Sequence, residues 1–146
     1  MSKIISFRGI LGEGLEEKIK LSTLKGKIGY KIIKFEVMNS TPGVDHYETT
    51  TKVYSKAQGA GSTNIDFSES DLLAAAYVED NNQSTYPLSQ TVIFDNEIFN
   101  QDIFVNTAST QGTVPVNYYI ELETVALSDI QSTQITLKSL RTIASR

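Results

Sequence analysis

Two segments of the chain alternate strictly between apolar and polar side chains, which is the two-residue period of a β-strand with one buried face. In residues 15–22 the inward row is Leu15, Glu17, Ile19 and Leu21, and Glu17 is its only polar member. In residues 116–125 the inward row is Val116, Tyr118, Ile120 and Leu122, and the outward row is Asn117, Tyr119, Glu121 and Glu123. Sheets with one wet face are typically antiparallel, so both segments predict an antiparallel sheet.

Less regular versions of this pattern predict the other strands. They lie at 3–8, 30–38, 45–55, 91–95, 102–107 and 133–142, and 65–67 could add a short one. In 30–38 the odd positions Ile33, Phe35 and Val37 are expected to face inward. The threonine and tyrosine content of 45–55 suits a solvent-facing or interface strand more than a central one.

The last segment is ambiguous between helix and strand. A helical stripe could form from Ile130, Leu137, Leu140 and Ala144. The β-branched residues of the segment are Thr133, Ile135, Thr136, Thr142 and Ile143. Because branching at Cβ favours strands, we interpret 133–142 as a strand with a bulge near Ser139.

One helix is predicted, at 69–79. Ser68 can cap its first N–H groups, and Asp71 three positions later completes a capping-box-like arrangement. Its apolar stripe is Leu72, Leu73, Ala76 and Tyr77. The whole pattern predicts a mainly β chain, a single antiparallel β-sandwich domain over 1–146 of the jelly-roll or Greek-key type, with this one short helix.

The dipeptide Ile-Phe occurs three times, at 93, 98 and 103, separated by polar triplets. A spacing of five fits neither a helical stripe nor simple strand alternation. We interpret the stretch as the central hairpin of the sandwich, with strands at 91–95 and 102–107 and an irregular turn between them. Its Ile and Phe side chains are expected to fill the core.

Composition narrows the classes of function. The chain has 146 residues, a formal net charge of −4 and no cysteine. These values disfavour binding to nucleic acid and exclude disulfides and thiolate metal sites. The start of the sequence has no apolar run of signal-peptide length, and no run approaches a membrane span, so we expect no membrane association and no Sec-type export.

Residues that could carry catalysis are few, and we predict that the protein is not an enzyme and has no catalytic residues. His46 is the only histidine and has no nucleophile motif beside it, so a surface or interface position is favoured. Glu121 and Glu123 share one strand face at a separation compatible with acid/base work. Two solvated acids on a wet face explain them better, and a carboxylate-dependent hydrolase is the least favoured hypothesis.

Two acidic stretches offer oxygen atoms to a hard cation such as calcium. The first comprises Asp95, Asn96, Glu97, Asn100 and Asp102, and the second is Glu79-Asp80-Asn81-Asn82. Apolar residues interrupt the first stretch, and neither has the spacing of a helix–loop–helix calcium loop. Hydrogen-bonded turns are favoured over a structural cation, and no metal or cofactor is predicted.

Five segments carry a resemblance to a group of small proteins of marine tailed bacteriophages. They are Met1 to Gly9, Asp66 to Tyr77, Val92 to Asn106, Asn117 to Glu123 and Thr136 to Ile143. The resemblance implies a virion structural protein associated with the capsid, assembled in the host cytoplasm. It has no mechanistic motif and transfers no functional residue.

The leading hypothesis is therefore a capsid decoration or cement protein that binds other virion proteins and forms a homo-oligomer in the particle. Segments 1–14, 56–64 and 80–90 are the expected contact regions. The alternative is a carbohydrate-binding β-sandwich for host recognition. Both hypotheses draw on the tyrosines of polar strands, namely Tyr47, Tyr54, Tyr86, Tyr118 and Tyr119.

Overall fold

The computed structural model describes residues 2–42, 46–80 and 89–144, with the backbone alone for residue 89 and for residues 140–144. Eight strands and one helix lie within these residues. They are β1 (Ile4–Leu11), β2 (Glu16–Ile19), β3 (Ile28–Asn39), β4 (Tyr47–Tyr54), β5 (Leu72–Asp80), β6 (Ser89–Phe94), β7 (Ile103–Gln111), β8 (Val116–Ala126) and α1 (Asp129–Ala144).

The strands form two antiparallel sheets. The smaller sheet has the order β1-β8-β3 and the larger has the order β2-β7-β4-β5-β6. One core of buried side chains draws on both sheets, from Phe35, Ile120 and Leu122 of the smaller to Val53 and Val105 of the larger. The prediction of a mainly β, antiparallel sandwich is confirmed, whereas the jelly-roll or Greek-key connectivity stays a prediction.

Strand β8 has the alternation that its sequence predicts. Val116, Tyr118, Ile120 and Leu122 are at most 2% exposed, and the residues between them point outward. Glu17, the polar exception in the 15–22 row, accepts a hydrogen bond from the Tyr118 hydroxyl at the margin of the core. Burial, together with the bond to Glu17 and its charge, raises the pKa of Tyr118 far above its usual value.

Strand β3 contains a bulge that changes which of its residues face the core. The register against β8 shifts between Ile32 and Lys34, so Ile32 faces the core and Ile33 is only half-buried. Phe35 and Val37 face inward as predicted. The inward assignment of Ile33 was wrong because the bulge inserts one residue and reverses the faces on its N-terminal side.

The helix predicted at 69–79 is wrong, since Leu72–Asp80 is strand β5 with β4 on one side and β6 on the other. Residues 73 to 76 are all buried, because the strand is covered on both faces. A strand buried on both faces is a continuous apolar run without alternation. This run also contains three alanines, and alanine has the highest intrinsic helix propensity, so the sequence of the segment favours a helix. Residues 65–67 form no strand.

The strand predicted at 133–142 is also wrong, because these residues belong to α1. Ser128 and Gln131 form a capping box, in which the Gln131 N–H donates to Ser128 Oγ at 3.2 Å and the Ser128 N–H to Gln131 Oε1 at 3.0 Å. Ion pairs attach the helix, one between Lys27 and Asp129 at 2.8 Å and one between Lys138 and Glu97. Within the described residues no helix is long and apolar enough to cross a membrane.

The triple Ile-Phe stretch is not a central hairpin. Strand β6 lies at the edge of the larger sheet, and β4 and β5 separate it from β7. Ile103 is fully buried, whereas Ile93 is 50% and Phe94 39% exposed, so only part of the stretch fills the core. Local spacing cannot reveal that β6 pairs with the preceding strand β5 while β7 pairs with the distant strands β2 and β4.

Strand β4 is a central strand, contrary to the expectation for its composition. Tyr47 and Val53 face the core between the sheets, whereas Lys52 and Tyr54 face the opposite side of the sheet and are nevertheless buried. Something must therefore cover the outer face of the larger sheet. That cover is the segment 55–71, which joins β4 to β5.

Candidate functional site

Residues 55–71, called here the covering segment, lie on the outer face of the larger sheet. Lys52 donates a hydrogen bond to the carbonyl oxygen of Asn64, and the Tyr54 hydroxyl bonds Glu69 Oε1 at 3.1 Å. The Gly61 N–H donates to the carbonyl oxygen of Gly14 at 3.1 Å. These bonds hold the segment against β4 and against Gly14, which precedes β2, and the polar side chains beneath it are buried.

Gly61 sits where the covering segment comes closest to the sheet. A Cβ atom at this position would lie 1.8 Å from the carbonyl oxygen of Thr107 in β7. The same carbonyl accepts a hydrogen bond from the Gly14 N–H at 2.9 Å. Only glycine allows the two backbones to approach this closely.

Under the covering segment three polar side chains form a row across adjacent strands, called here the polar row. Asn106 of β7 is the register partner of Glu16 in β2 and of Lys52 in β4. Lys52 is 2% and Asn106 1% exposed. Because residues directly opposite each other on neighbouring strands point to the same face, the side chains of Glu16, Asn106 and Lys52 lie on one face of the sheet.

The carboxylate of Glu16 links the polar row to the covering segment. It accepts hydrogen bonds from the N–H groups of Gln58 and Gly59, both at 3.0 Å, and from Asn106 Nδ2 at 3.3 Å. Asn106 Oδ1 is buried and accepts no hydrogen bond from any described residue. Burial lowers the pKa of Lys52, and the charge of Glu69 opposes this effect in part.

A groove of about 500 Å³ with both apolar and polar lining lies beside the edge strand β6. We call it the edge groove. The residues that line it include Phe67, Leu72, Ala75, Ile93, Phe94 and Asp95. Phe67 comes from the covering segment and is 65% exposed, and Ile93 on β6 is 50% exposed. The covering segment therefore creates an exposed apolar surface at a sheet edge while it buries polar side chains at the sheet centre.

The four edge strands of the two sheets differ in charge. Three of them carry ionic side chains, namely Arg8 in β1, Glu16, Glu17 and Lys18 in β2, and Lys31, Lys34 and Glu36 in β3. Strand β6 reads Ser-Gln-Thr-Val-Ile-Phe and has no charged residue. Charges and bulges on edge strands prevent pairing with other chains, so β6 is the edge without that protection.

The residues considered for catalysis do not converge on one site. His46 is exposed, with its Nε2 atom 3.6 Å from Glu48 Oε1. Glu121 and Glu123 lie on the outer face of the smaller sheet, where Glu123 forms an ion pair with Lys31 at 3.2 Å and Glu121 is the register partner of Lys34. The two acids are therefore part of a charged, solvent-facing surface.

The acidic stretch 95–102 is divided among separate interactions. Asp95 accepts a hydrogen bond from the Glu97 N–H at 3.1 Å, and Glu97 pairs with Lys138. Asn100 donates to the carbonyl of Gly26 at 3.0 Å and to Thr136 at 2.9 Å. No group of three metal-binding side chains occurs in the part of the chain that the structure describes. In the second stretch, residues 81 and 82 lie outside the described residues.

Asp102, directly before β7, binds the residues that follow β2. Its Oδ1 atom accepts hydrogen bonds from the N–H groups of Leu21 at 2.7 Å and Ser22 at 2.8 Å, and Oδ2 lies 3.2 Å from Lys18 Nζ. Burial acts to raise the pKa of Asp102, but the bonds from Ser22, Leu21 and Lys18 together hold it below its usual value.

We therefore expect Asp102 to stabilise the fold in a pH-dependent way. Because its pKa is lower in the folded than in the unfolded chain, its contribution is fully present above about pH 4, the ordinary aspartate pKa. The contribution is lost as the pH falls through the lower folded value. Urea titrations of wild type and Asp102→Asn should give a free-energy difference that shrinks on acidification. Asp95→Asn is the control, and an equal pH-dependent difference for it would refute the assignment.

The tyrosines predicted to form an interface are mostly internal. Tyr47, Tyr54 and Tyr118 are at most 3% exposed, Tyr119 is half-buried with Lys34 Nζ 5.8 Å from its ring centre, and Tyr86 lies outside the described residues. Of the predicted contact segments, 1–14 contains β1, 56–64 lies within the covering segment, and most of 80–90 falls outside the described residues. The sugar-stacking surface of the carbohydrate-binding alternative finds little support here.

Sequence reasoning did not find the polar row or the edge groove. Their residues come from strands that meet only through long-range pairing, and Lys52 and Asn106 carry no motif. The one available signal is that Lys52 is the single charged residue in the run from Thr49 to Tyr54. Comparison with protein-family models gives no match to the chain, and comparison with curated proteins gives none.

Proposed function

We propose that the chain is a non-enzymatic structural protein of a phage virion, a capsid decoration or cement protein that acts through protein–protein contacts. The observation that carries this proposal is the uncharged edge strand β6 with the edge groove beside it. Strand β6 has a strand partner on one side only, and an unpaired strand edge next to a groove is a feature that another protein uses to extend a sheet. The resemblance of the sequence to phage proteins gives the virion as the setting.

The partner at this edge is a second copy of the chain, paired through its own β6. An antiparallel pair of identical strands related by a two-fold axis is self-complementary, and such two-fold contacts are the commonest in homo-oligomers. Because Ser89–Phe94 contains no charge, two copies bring no like charges together. Pairing over the whole strand would set Ile93 of one copy opposite Gln90 of the other and Phe94 opposite Ser89, so each exposed apolar side chain would stand beside an uncharged partner.

Quantitative mass spectrometry of purified phage particles tests the virion role. We expect peptides of the chain at hundreds of copies per particle, which is the number expected of a protein that decorates the capsid surface. A ring-like number of about six or twelve would instead place it at the portal or tail. Its absence from purified particles would overturn the proposal.

Changing Ile93 to lysine tests the edge contact. A charge on strand β6 itself opposes strand pairing, so Ile93→Lys should weaken self-association of the isolated chain at least tenfold, about 1.4 kcal/mol. Sedimentation velocity over a concentration series measures this. Ile4→Lys is the matched control, since Ile4 is 59% exposed on edge strand β1, which already carries Arg8. Equal weakening by both substitutions, or a monomeric wild type, would exclude β6 as the contact.

A further inference from the structure

The polar row brings together a buried amine, a buried carboxamide and a carboxylate. Lys52 and Asn106 are direct register partners on neighbouring strands, and Glu16 Oε2 lies 3.3 Å from Asn106 Nδ2. Side chains directly opposite each other in an antiparallel pair have Cβ atoms about 4.5–5.5 Å apart. The four-carbon side chain of lysine is long enough to span that gap.

We propose that Lys52 and Asn106 become joined by an isopeptide bond that the folded chain forms by itself, with Glu16 as the catalytic residue. The Nζ atom of Lys52 attacks Asn106 Cγ and forms the new C–N bond. Glu16 accepts a proton from Nζ and delivers it to Nδ2, the C–Nδ2 bond breaks, and one ammonia leaves. The step consumes no water, oxidant or cofactor, and it is independent of the proposed virion role.

The amine is placed where it can act as a nucleophile. Attack requires the neutral form, and burial lowers the pKa of Lys52, which increases the neutral fraction. The Nζ atom donates to the carbonyl oxygen of Asn64 and lies 5.5 Å from the ring centre of Tyr54. The reaction therefore begins when the Nζ atom of Lys52 leaves the carbonyl oxygen of Asn64 and moves to Asn106 Cγ.

The carboxamide is held for attack. Glu16 binds its Nδ2 atom, which becomes the leaving group. Backbone N–H groups of Gln58 and Gly59 fix the Glu16 carboxylate from the opposite side. The covering segment keeps water out, so hydrolysis of the carboxamide does not compete.

The bond would join the two central strands β4 and β7 in a chain that has no cysteine. A link between residues 52 and 106 closes a long loop, and closing long loops restricts the unfolded chain most. The product would therefore act as a disulfide does in other small proteins, without depending on an oxidising environment.

Intact-mass spectrometry of the purified full chain tests the proposal. We expect a mass below the sequence mass by one ammonia, and a tryptic peptide in which Lys52 and Asn106 are linked. Lys52→Arg keeps the charge without the reactive amine and should restore the sequence mass. A deficit that persists in Lys52→Arg would mean succinimide formation at an asparagine and would overturn the proposal.

Glu16→Gln tests the proton transfer. The variant keeps hydrogen-bonding capacity toward the covering segment but accepts no proton, so bond formation should slow about a hundredfold, measured as the fraction of linked chain over time. An unchanged rate would remove Glu16 from the mechanism. Should the variants fail to fold, the wild-type mass decides alone, since an aged wild type at the full sequence mass contradicts the bond.

Discussion

Gly61→Ala is expected to destabilise the fold by about 3 kcal/mol, the upper end of the usual cost of inserting a methyl group into a packed site. The added Cβ would lie 1.8 Å from the Thr107 carbonyl oxygen, a backbone atom that cannot rotate away. The covering segment must therefore lift from β7, which exposes Lys52 and Asn106. Urea unfolding followed by circular dichroism measures the loss, and faster tryptic cleavage after Lys56 reports the lifting directly.

Gly12→Ala is the matched control for this substitution. A Cβ at Gly12 would meet only the end of the Leu15 side chain, at 3.1 Å, and Leu15 is 58% exposed and free to move. The loss there should stay within about 0.5 kcal/mol, as for ordinary surface changes. Equal losses for the two variants would show that the contact between Gly61 and Thr107 does not hold the covering segment.

Ile120→Ala is expected to cost about 2–5 kcal/mol, because it removes buried methylene and methyl groups and leaves a cavity. Ile120 is completely buried in β8, with Phe7 of β1 and Phe35 of β3 as its register partners. Two aromatic rings held in strands on either side leave little room for the structure to collapse into the cavity. The free energy of unfolding in urea gives the value.

Glu121→Gln provides the comparison at the next position of the same strand. Its side chain points to the outer face, so the change should alter stability by no more than about 0.5 kcal/mol. A loss comparable to that of Ile120→Ala would mean that the two faces of β8 are assigned the wrong way round.

The sequence predicts β8 well because this strand is buried on one face only. A strand buried on one face alternates between buried and more exposed residues, and Val116 to Glu123 follow this alternation without exception. Strand β5 is covered on both faces, so Leu72 to Val78 carry no alternation, and their alanines favour a helix locally. The sandwich class was therefore predictable, while the one helix was predicted in the middle of the chain, at 69–79, instead of at Asp129–Ala144.

Helix α1 was missed for the opposite reason. Its threonines and isoleucines have intrinsic strand preference, but a local capping box and ion pairs to Lys27 and Glu97 decide the outcome. Ser128 and Gln131 stand at the three-residue spacing of a capping box, which is the signal for this helix that the sequence contains.

The polar row could not be predicted, because it depends on the register of three strands that are distant in the sequence. Glu16, Lys52 and Asn106 become neighbours only when β2 and β4 pair on opposite sides of β7. A shift of one residue in either pairing would turn a side chain to the other face of the sheet. Periodicity identifies the strands but does not fix which residue stands beside which.

The attachment of α1 to the rest of the chain depends on ionic strength. Ile130 is 72% and Leu137 49% exposed, so apolar burial contributes little along this side of the helix. The ion pairs at Asp129 and Lys138 involve partly exposed side chains, whose attraction is screened as ionic strength rises. The two sheets also contain ion pairs, Lys18 with Asp102 and Lys31 with Glu123, but their shared core of buried apolar side chains is not screened by salt. Salt concentration therefore changes how firmly the last helix is held while leaving the sandwich itself intact.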